Sequence, residues 1–414
     1  MNKKLRVLSL FSGCGGMDIG FEGGFKCLKR SINSNMHFDW IEKDLGEWVQ
    51  IKETPFETVF ANDIRPGAKA AWVSYFEKKY ENANEIYKIE SIVDLVKKAH
   101  SGEYYFPEDI DIVTGGFPCQ DFSVAGKRKG FNSEKSHNGG ILEVDVPTIE
   151  NRGQLYMWMK EVVSLVKPSI FIAENVKGLT TLEDVKAIIE HDFANAADGG
   201  YIVIPARVLH AANYGVPQSR ERVIFYGIKR SALNNKALAA LLDLESNMEY
   251  DPYPLPTHNY NINNDELPSF VTCRETLHDL KEPDNSDDVD QTKYSKAKYL
   301  PKGQGNIEIK MDSISPTIRA EHHGNIEFRR LSLENGGKNI EEINAGLEQR
   351  RLTIRECARL QTFPDDYKFI LKKTDKNTSV SASEAYKIIG NAVPCLLAYN
   401  IAMRLAEIWD KYFK

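Results

Sequence analysis

The sequence predicts an α/β fold, a doubly wound and mostly parallel sheet, with a second, smaller and irregular domain. Three observations carry this. Short apolar runs alternate with stretches of helical spacing through roughly the first 230 residues, the pattern of parallel strands joined by helices. The first run ends in a glycine-rich turn, the usual opening of a nucleotide-binding α/β unit. From 250 to 345 the texture changes to Asn, Asp, Pro and short apolar pieces with few helices.

Taken in order, residues 5–11 (LRVLSLF) read as a buried strand running into Ser12-Gly13-Cys14-Gly15-Gly16, after which a helix is expected. Residues 58–62 (TVFAN) form a second strand, followed by Asp63 and a helix over 67–80. A further strand at 110–114 (IDIVT) leads into Gly115-Gly116-Phe117-Pro118-Cys119. Helical spacing over 152–166 precedes a strand at 169–173 (SIFIA) that ends at Glu174-Asn175. Strands at 201–208 and 222–228 complete the set. Regular structure resumes at 353–363, and Pro394 to Phe413 is a strong amphipathic helix. Residues 26–57 are too long for a simple connection of ~2–6 residues and read as an insertion of unassigned role. The expected domains are 1–230 with 350–414, and 231–349. Asp63, Cys119 and Glu174 each follow the C-terminal end of an expected strand, where ligands bind in open α/β sheets.

Composition narrows the function classes. The chain has 414 residues and a net charge of −6 at pH 7. That excludes a uniformly basic nucleic-acid binder but leaves room for a local basic cleft. The six cysteines, Cys14, Cys27, Cys119, Cys273, Cys357 and Cys395, form no CxxC pair. Their scatter argues against a zinc site or a disulfide framework and suits a reducing cytoplasm. The apolar run Val7–Phe11 is too short for a signal-peptide core, and no segment reaches the ~20 apolar residues of a membrane helix.

Five segments can carry chemistry, and each has a plain alternative. The turn at 11–16 lets backbone approach a ligand, or is merely a tight strand-to-helix turn. Asp63 can accept from ribose hydroxyls, or cap a helix. Cys119 follows Pro118 and precedes Lys127, Arg128 and Lys129, cations that favour a thiolate; otherwise it is an unreactive loop thiol. Glu174, at the end of an apolar strand, suits a proton donor, or caps a helix over 180–190. Strand alternation puts Arg220 and Arg222 on one face, where two guanidinium groups suit a phosphate or a developing negative charge; otherwise they form a solvated edge.

Together these segments resemble the DNA cytosine-5 methyltransferase family nearly end to end. The matches come in family order: LFSGCGGMDIGFE (10–22), FANDI (60–64), GGFPCQDFSVAGKRKG (115–130), ENVKGL (174–179), GVPQSRERV (215–223), RLTIRECARLQTFPD (351–365) and IGNAVP (389–394). The resemblance implies a Rossmann-like S-adenosylmethionine-dependent methyltransferase sheet with a smaller target-recognition domain at 231–349. It implies that Phe11, Ser12, Gly13, Cys14 and Gly16 line S-adenosylmethionine, with Asp63 on its ribose and Ile64 and Ile92 near its adenine. Phe117 and Pro118 would sit by the methyl donor, and Asn391 and Val393 would return to the cofactor. Cys119 would be the nucleophile and Glu174 the acid, with Arg222, and Arg220 behind it, orienting Glu174 and the cytosine. Gln120, Ser123, Lys127, Arg128, Thr317 and Arg319 would face DNA, with Arg329-Arg330 as further candidates.

Three departures stand out. The family often has an acid two residues before the Phe of its first motif, and Ser9 stands here. The usual acid at the adenine is replaced near Glu90-Ser91-Ile92. The 26–57 insertion is longer than expected. The expected partner is double-stranded DNA, read by a cytoplasmic monomer without metal or membrane, with a cognate restriction endonuclease as a functional partner. The rival readings are a tRNA cytosine-5 methyltransferase and a catalytically silent DNA-binding protein.

Overall fold

The computed structural model describes residues 3–117, 155–181, 183–302, 304–320, 324–374 and 378–414. Its centre is a seven-stranded sheet. In chain order the strands are β1 (Leu5–Leu10), β2 (Phe56–Asp63), β3 (Tyr87–Ile89), β4 (Ile112–Gly115), β5 (Ile170–Val176), β6 (Tyr201–His210) and β7 (Glu221–Lys229). Across the sheet they run β3-β2-β1-β4-β5-β7-β6. The first five are mutually parallel, and β7 is antiparallel to both β5 and β6. The expected doubly wound sheet is therefore present, with one antiparallel strand wedged near an edge. β3, only three residues long, has too little pattern to be seen in the sequence.

Alternation along the strands divides the core into two layers. Val7, Ile112, Ile170, Ile172, Ile224 and Tyr226 face one hydrophobic cluster, while Leu8, Leu10, Val113, Phe171, Ala173 and Phe225 face the other. Both faces are covered, which explains why these strands read as nearly continuous apolar runs. The second layer is built from α3 (Ile92–His100), α4 (Leu155–Val166) and α5 (Glu183–Ala194). The first layer holds α1 (Gly16–Glu22), α2 (Pro66–Phe76), α6 (Ile354–Leu360), α7 (Ala382–Asn391) and α8 (Cys395–Phe413). α1 lies so close to α8 that a Cβ on Gly20 would stand 2.4 Å from both Ala398 Cβ and Cys395 O. The C-terminal stretch Ala382–Phe413 is long and apolar, and its most apolar part is mostly buried inside the protein.

The insertion is a folded unit. Lys26–Leu28, Ile41–Asp44 and Trp48–Ile51 form a three-stranded antiparallel sheet with Trp48–Ile51 in the middle. Phe25 and Trp40 set their rings edge-on against Tyr399 of α8. Its far side reaches the 257–278 stretch, where Asn33 Nδ2 donates to Thr257 O at 3.0 Å and Arg30 donates to Ser269 O at 2.8 Å.

Residues 231–349 are irregular, as expected, and several ion pairs join their segments to one another and to 350–356. Arg330 donates to Glu342 at 2.7 Å and to Glu282, and Arg329 pairs with Glu342. Arg350 bridges Glu356 at 2.8 Å and Glu282 at 2.9 Å. The expectation that Arg329 and Arg330 contact DNA is overturned here. They are only 7% and 1% exposed, and both are committed to ion pairs inside the protein, with Glu342 and Glu282.

Candidate functional site

The turn after β1 is held by an unusual number of clamps. Phe11, Gly13 and Gly15 have φ of 53°, 54° and 80°, and a left-handed Phe persists only where its surroundings enforce it. Ser12 N donates to Asn62 O at 2.8 Å, and Gly13 N to Asp63 Oδ2 at 3.1 Å. Two tyrosines seize the turn's carbonyls: Tyr87 Oη donates to Gly13 O at 2.8 Å and Tyr367 Oη to Cys14 O at 2.7 Å. A Cβ on Gly16 would stand 2.2 Å from Val393 O, so glycine is what lets the C-terminal segment close over the turn.

This turn forms one wall of a cavity of about 460 Å³, a size suited to a small organic ligand. Phe11, Ser12, Gly13 and Gly16 line it. Asp63, Ile64, Ile92, Asn391 and Val393 line it as well. Cys14 does not join them; its side chain is buried, with Sγ donating to Ile388 O at 3.3 Å. Asp63 is not the cap of α2, since Arg65 holds that position. Its Oδ1 accepts from Arg65 N at 3.0 Å. Burial raises its carboxyl above the usual range, opposed by these hydrogen bonds and by Arg65. At the position of the missing adenine acid, the Glu90 carboxylate is paired with Lys98 and Ser91 caps α3 through Val93 N at 3.3 Å.

The far end of the same cavity carries Phe117, Glu174 and Arg222. Pairing with β7 extends β5 to Val176, so Glu174 lies within the strand rather than after it, opposite Ile224. Arg222, opposite Val176, therefore projects on the same face, one diagonal step away. Arg222 Nε meets Glu174 Oε1 at 2.6 Å with both side chains nearly buried. A Cβ on Gly116 would stand 2.7 Å from Glu174 Oε2. Asn175 Nδ2 donates to Phe117 O at 3.2 Å, fixing the exit of β4. Pro118, Cys119, Gln120, Ser123, Lys127 and Arg128 lie outside the described residues.

Arg220 is fully buried. Its Nη1 donates to Ile318 O at 3.0 Å and its Nη2 to Gly390 O at 2.9 Å. It thus joins the 315–320 stretch to the end of α7, and it also lines the cavity. Gln218 does parallel work, with Nε2 donating to Leu360 O at 3.0 Å and to Gln361 Oε1 at 3.1 Å, while Oε1 accepts from Ile318 N at 3.1 Å. Gln361 Nε2 continues to Ile389 O at 2.8 Å. Thr317 and Arg319 line the cavity mouth. Thr317 Oγ1 donates to Ser219 O, and Arg319 donates to Gln304 Oε1 at 2.8 Å, Asn325 O at 2.9 Å and Glu327 Oε1 at 3.2 Å. Sequence reasoning missed Tyr87, Tyr367, Gln218, Gln361 and Gly390. The glutamines and the glycine sit inside the matched segments, whereas nothing local marks the tyrosines.

Chemically, a carboxylate beside a turn of exposed backbone, leading to a second carboxyl locked to an arginine, can hold a nucleoside at one end and polarise a ring nitrogen at the other. The family described as C-5 cytosine-specific DNA methylase matches residues 5–407. The Type II methyltransferase M.BspRI of Lysinibacillus sphaericus is 34% identical, over 99% of this chain and 84% of its own length. M.BsuRI of Bacillus subtilis is 33% identical over 98% and 80%, and M.NgoFVII of Neisseria gonorrhoeae 30% over 100% and 90%. In fold the chain is similar to the S. pombe Dnmt2 methyltransferase (TM-score 0.53, 18% identity, 97% of this chain and 98% of that one). It is also similar in fold to the Entamoeba histolytica methyltransferase EhMeth (TM-score 0.52, 13% identity, 99% of each).

Proposed function

This chain belongs to the C-5 cytosine-specific DNA methylase family, and from that premise we propose that it methylates one cytosine within a specific double-stranded DNA sequence, using S-adenosylmethionine and the nucleophile Cys119. It is a DNA cytosine-5 methyltransferase of the restriction-modification kind. The finer reading rests above all on one cavity that joins the glycine turn and Asp63 to the Glu174–Arg222 pair.

The residues fit the cofactor. Asp63 offers its carboxylate to ribose hydroxyls, Ile64 and Ile92 offer apolar surface to adenine, and Phe11, the turn backbone, Asn391 and Val393 enclose the rest. Gly16 lets Val393 pack against the turn, which brings that residue to the cavity wall. S-adenosylmethionine, when bound, supplies the electrophilic methyl that C5 takes up.

Cytosine C5 is a poor nucleophile until the Cys119 thiolate adds to C6, which makes C5 enamine-like. Glu174 holds or protonates N3 as charge builds on the ring, and Arg222 fixes Glu174 and stabilises the same charge. Loss of the C5 proton then expels Cys119 and restores the ring. The other thiols are poor candidates. Cys14, Cys27, Cys273, Cys357 and Cys395 are buried, and desolvation pushes every one of them up, Cys27 and Cys273 to about 12.

C6 and N3 are out of reach in a stacked duplex, so the base is extruded into the cavity. Residues 1–230 with 350–414 form the catalytic domain, and 231–349 read the target. Gln120, Ser123, Lys127, Arg128, Thr317 and Arg319 face the DNA. The enzyme acts as a cytoplasmic monomer and protects DNA from a cognate endonuclease.

Methyl-labelled S-adenosylmethionine offered with duplex DNA or with tRNA tests this. Label enters DNA with the wild-type protein and not with Cys119→Ser, which still binds the cofactor. Label confined to tRNA, or robust turnover by Cys119→Ser, would sink the reading.

A further inference from the structure

The first motif lacks its usual acid at Ser9, yet a carboxylate stands directly behind that residue. Asp18, in the first turn of α1, is 1% exposed. Ser9 Oγ donates to Asp18 Oδ1 at 2.6 Å, and Trp72 Nε1 donates to Asp18 Oδ2 at 2.7 Å. Ser12 Oγ lies 2.8 Å from Ser9 Oγ and 3.0 Å from Ser9 O, and accepts from Asn62 N at 3.2 Å. A relay thus runs Asp18–Ser9–Ser12, from the buried carboxylate to the turn that walls the cavity. Ser9 and Ser12 line the cavity, while Asp18 does not.

We infer that Asp18 is a positioning residue for the cofactor, holding the Phe11–Gly16 turn in its binding shape through Ser9 and Ser12. The inference rests on the cofactor reading above and deepens it. Geometry makes the relay directional. Trp72 can only donate, so it occupies one carboxylate oxygen. Ser9 donates to the other and is thereby left to accept from Ser12. Ser12 in turn anchors the residue next to Phe11, whose φ of 53° needs enforcement. Burial without a matching cation makes Asp18 an expensive carboxylate to keep. Desolvation pushes its carboxyl up to about 7, the Ser9 and Trp72 hydrogen bonds draw it down, and Glu22 adds repulsion.

The test is calorimetric binding of S-adenosylmethionine to the full chain at pH 8, for wild type, Asp18→Asn, Asp18→Ser and the swap Ser9→Asp/Asp18→Ser. Hydrogen bonds to a charged group are among the stronger ones, and loss of this one is expected to weaken Kd about tenfold in Asp18→Asn and at least as much in Asp18→Ser. In steady state, KM for the cofactor rises while KM for DNA does not. The swap returns a carboxylate to the relay from its other end and recovers most of the affinity lost in Asp18→Ser. It keeps the test open should Asp18→Asn fold poorly. Asp18→Asn binding within twofold of wild type, or a swap as weak as Asp18→Ser, would overturn the inference. A wild-type protein that binds no S-adenosylmethionine would instead overturn the cofactor reading on which it stands.

Discussion

At the scale of single residues, two carboxylates proposed to serve the site have opposite surroundings. Glu174 is locked to Arg222 at 2.6 Å. Glu174→Gln removes an acid and leaves Arg222 without its partner, so kcat should fall by roughly 10²–10⁴-fold, measured by label transfer at saturating cofactor and DNA. Among the described residues no cation pairs with Asp18, and it carries a stability signature of its own. Its carboxyl is raised from 3.8 to about 7 in the folded protein. The folded state therefore keeps this proton where the unfolded chain has lost it. The associated stability is full below about pH 4 and is lost as pH rises toward 7. The unfolding free energy of wild type relative to Asp18→Asn should fall across that window, as followed by denaturant titration; a pH-independent difference would contradict the shift. Glu174, Asp63 and the arginines were legible because each sits at or beside a strand end. Asp18 was not, because its value comes from Trp72, which lies 54 positions away. Arg329 and Arg330 were misread for the same reason: Glu282 and Glu342, which bury them, are not sequence neighbours.

At the scale of elements, the strands of the central sheet other than β3 announced themselves through apolar runs. Their ends shifted where pairing decided them, as when β7 lengthened β5 to Val176. The 26–57 sheet stayed hidden because its strands have three or four residues each, too few to display a period. The joints between distant motifs were equally invisible, since they are made by backbone. Gly390 shows this best. A Cβ there would stand 2.1 Å from Arg319 C and 2.3 Å from Ala320 N, so the end of α7 and the 315–320 stretch meet main chain to main chain. Gly390→Ala must push them apart. The expected cost is about 1–3 kcal/mol of stability, read from denaturant midpoints, together with weaker cofactor binding as Asn391 and Val393 move. Unchanged stability would show that this joint is looser than its geometry says.

At the scale of the molecule, the sheet delivers the Phe11–Gly16 turn with Asp63 and the Glu174–Arg222 pair to one cavity, which residues 317–320 also line. A net charge of −6 does not prevent DNA binding if basic residues gather near that cavity. DNA affinity should then fall steeply with added salt, the mark of phosphate contacts, and a flat response in a filter-binding or anisotropy titration would count against a basic cleft. The proposed target-reading region, 231–349, is the irregular part of the chain, where periodicity carries least information. The central claim is that this chain methylates C5 of a defined cytosine in DNA through Cys119. Bisulfite sequencing of DNA from cells expressing either wild type or Cys119→Ser tests it most directly. The account predicts protected cytosines in one recurring sequence context with the wild-type protein and none with the variant. Wild-type DNA without protected cytosines, or equal protection by Cys119→Ser, would contradict it.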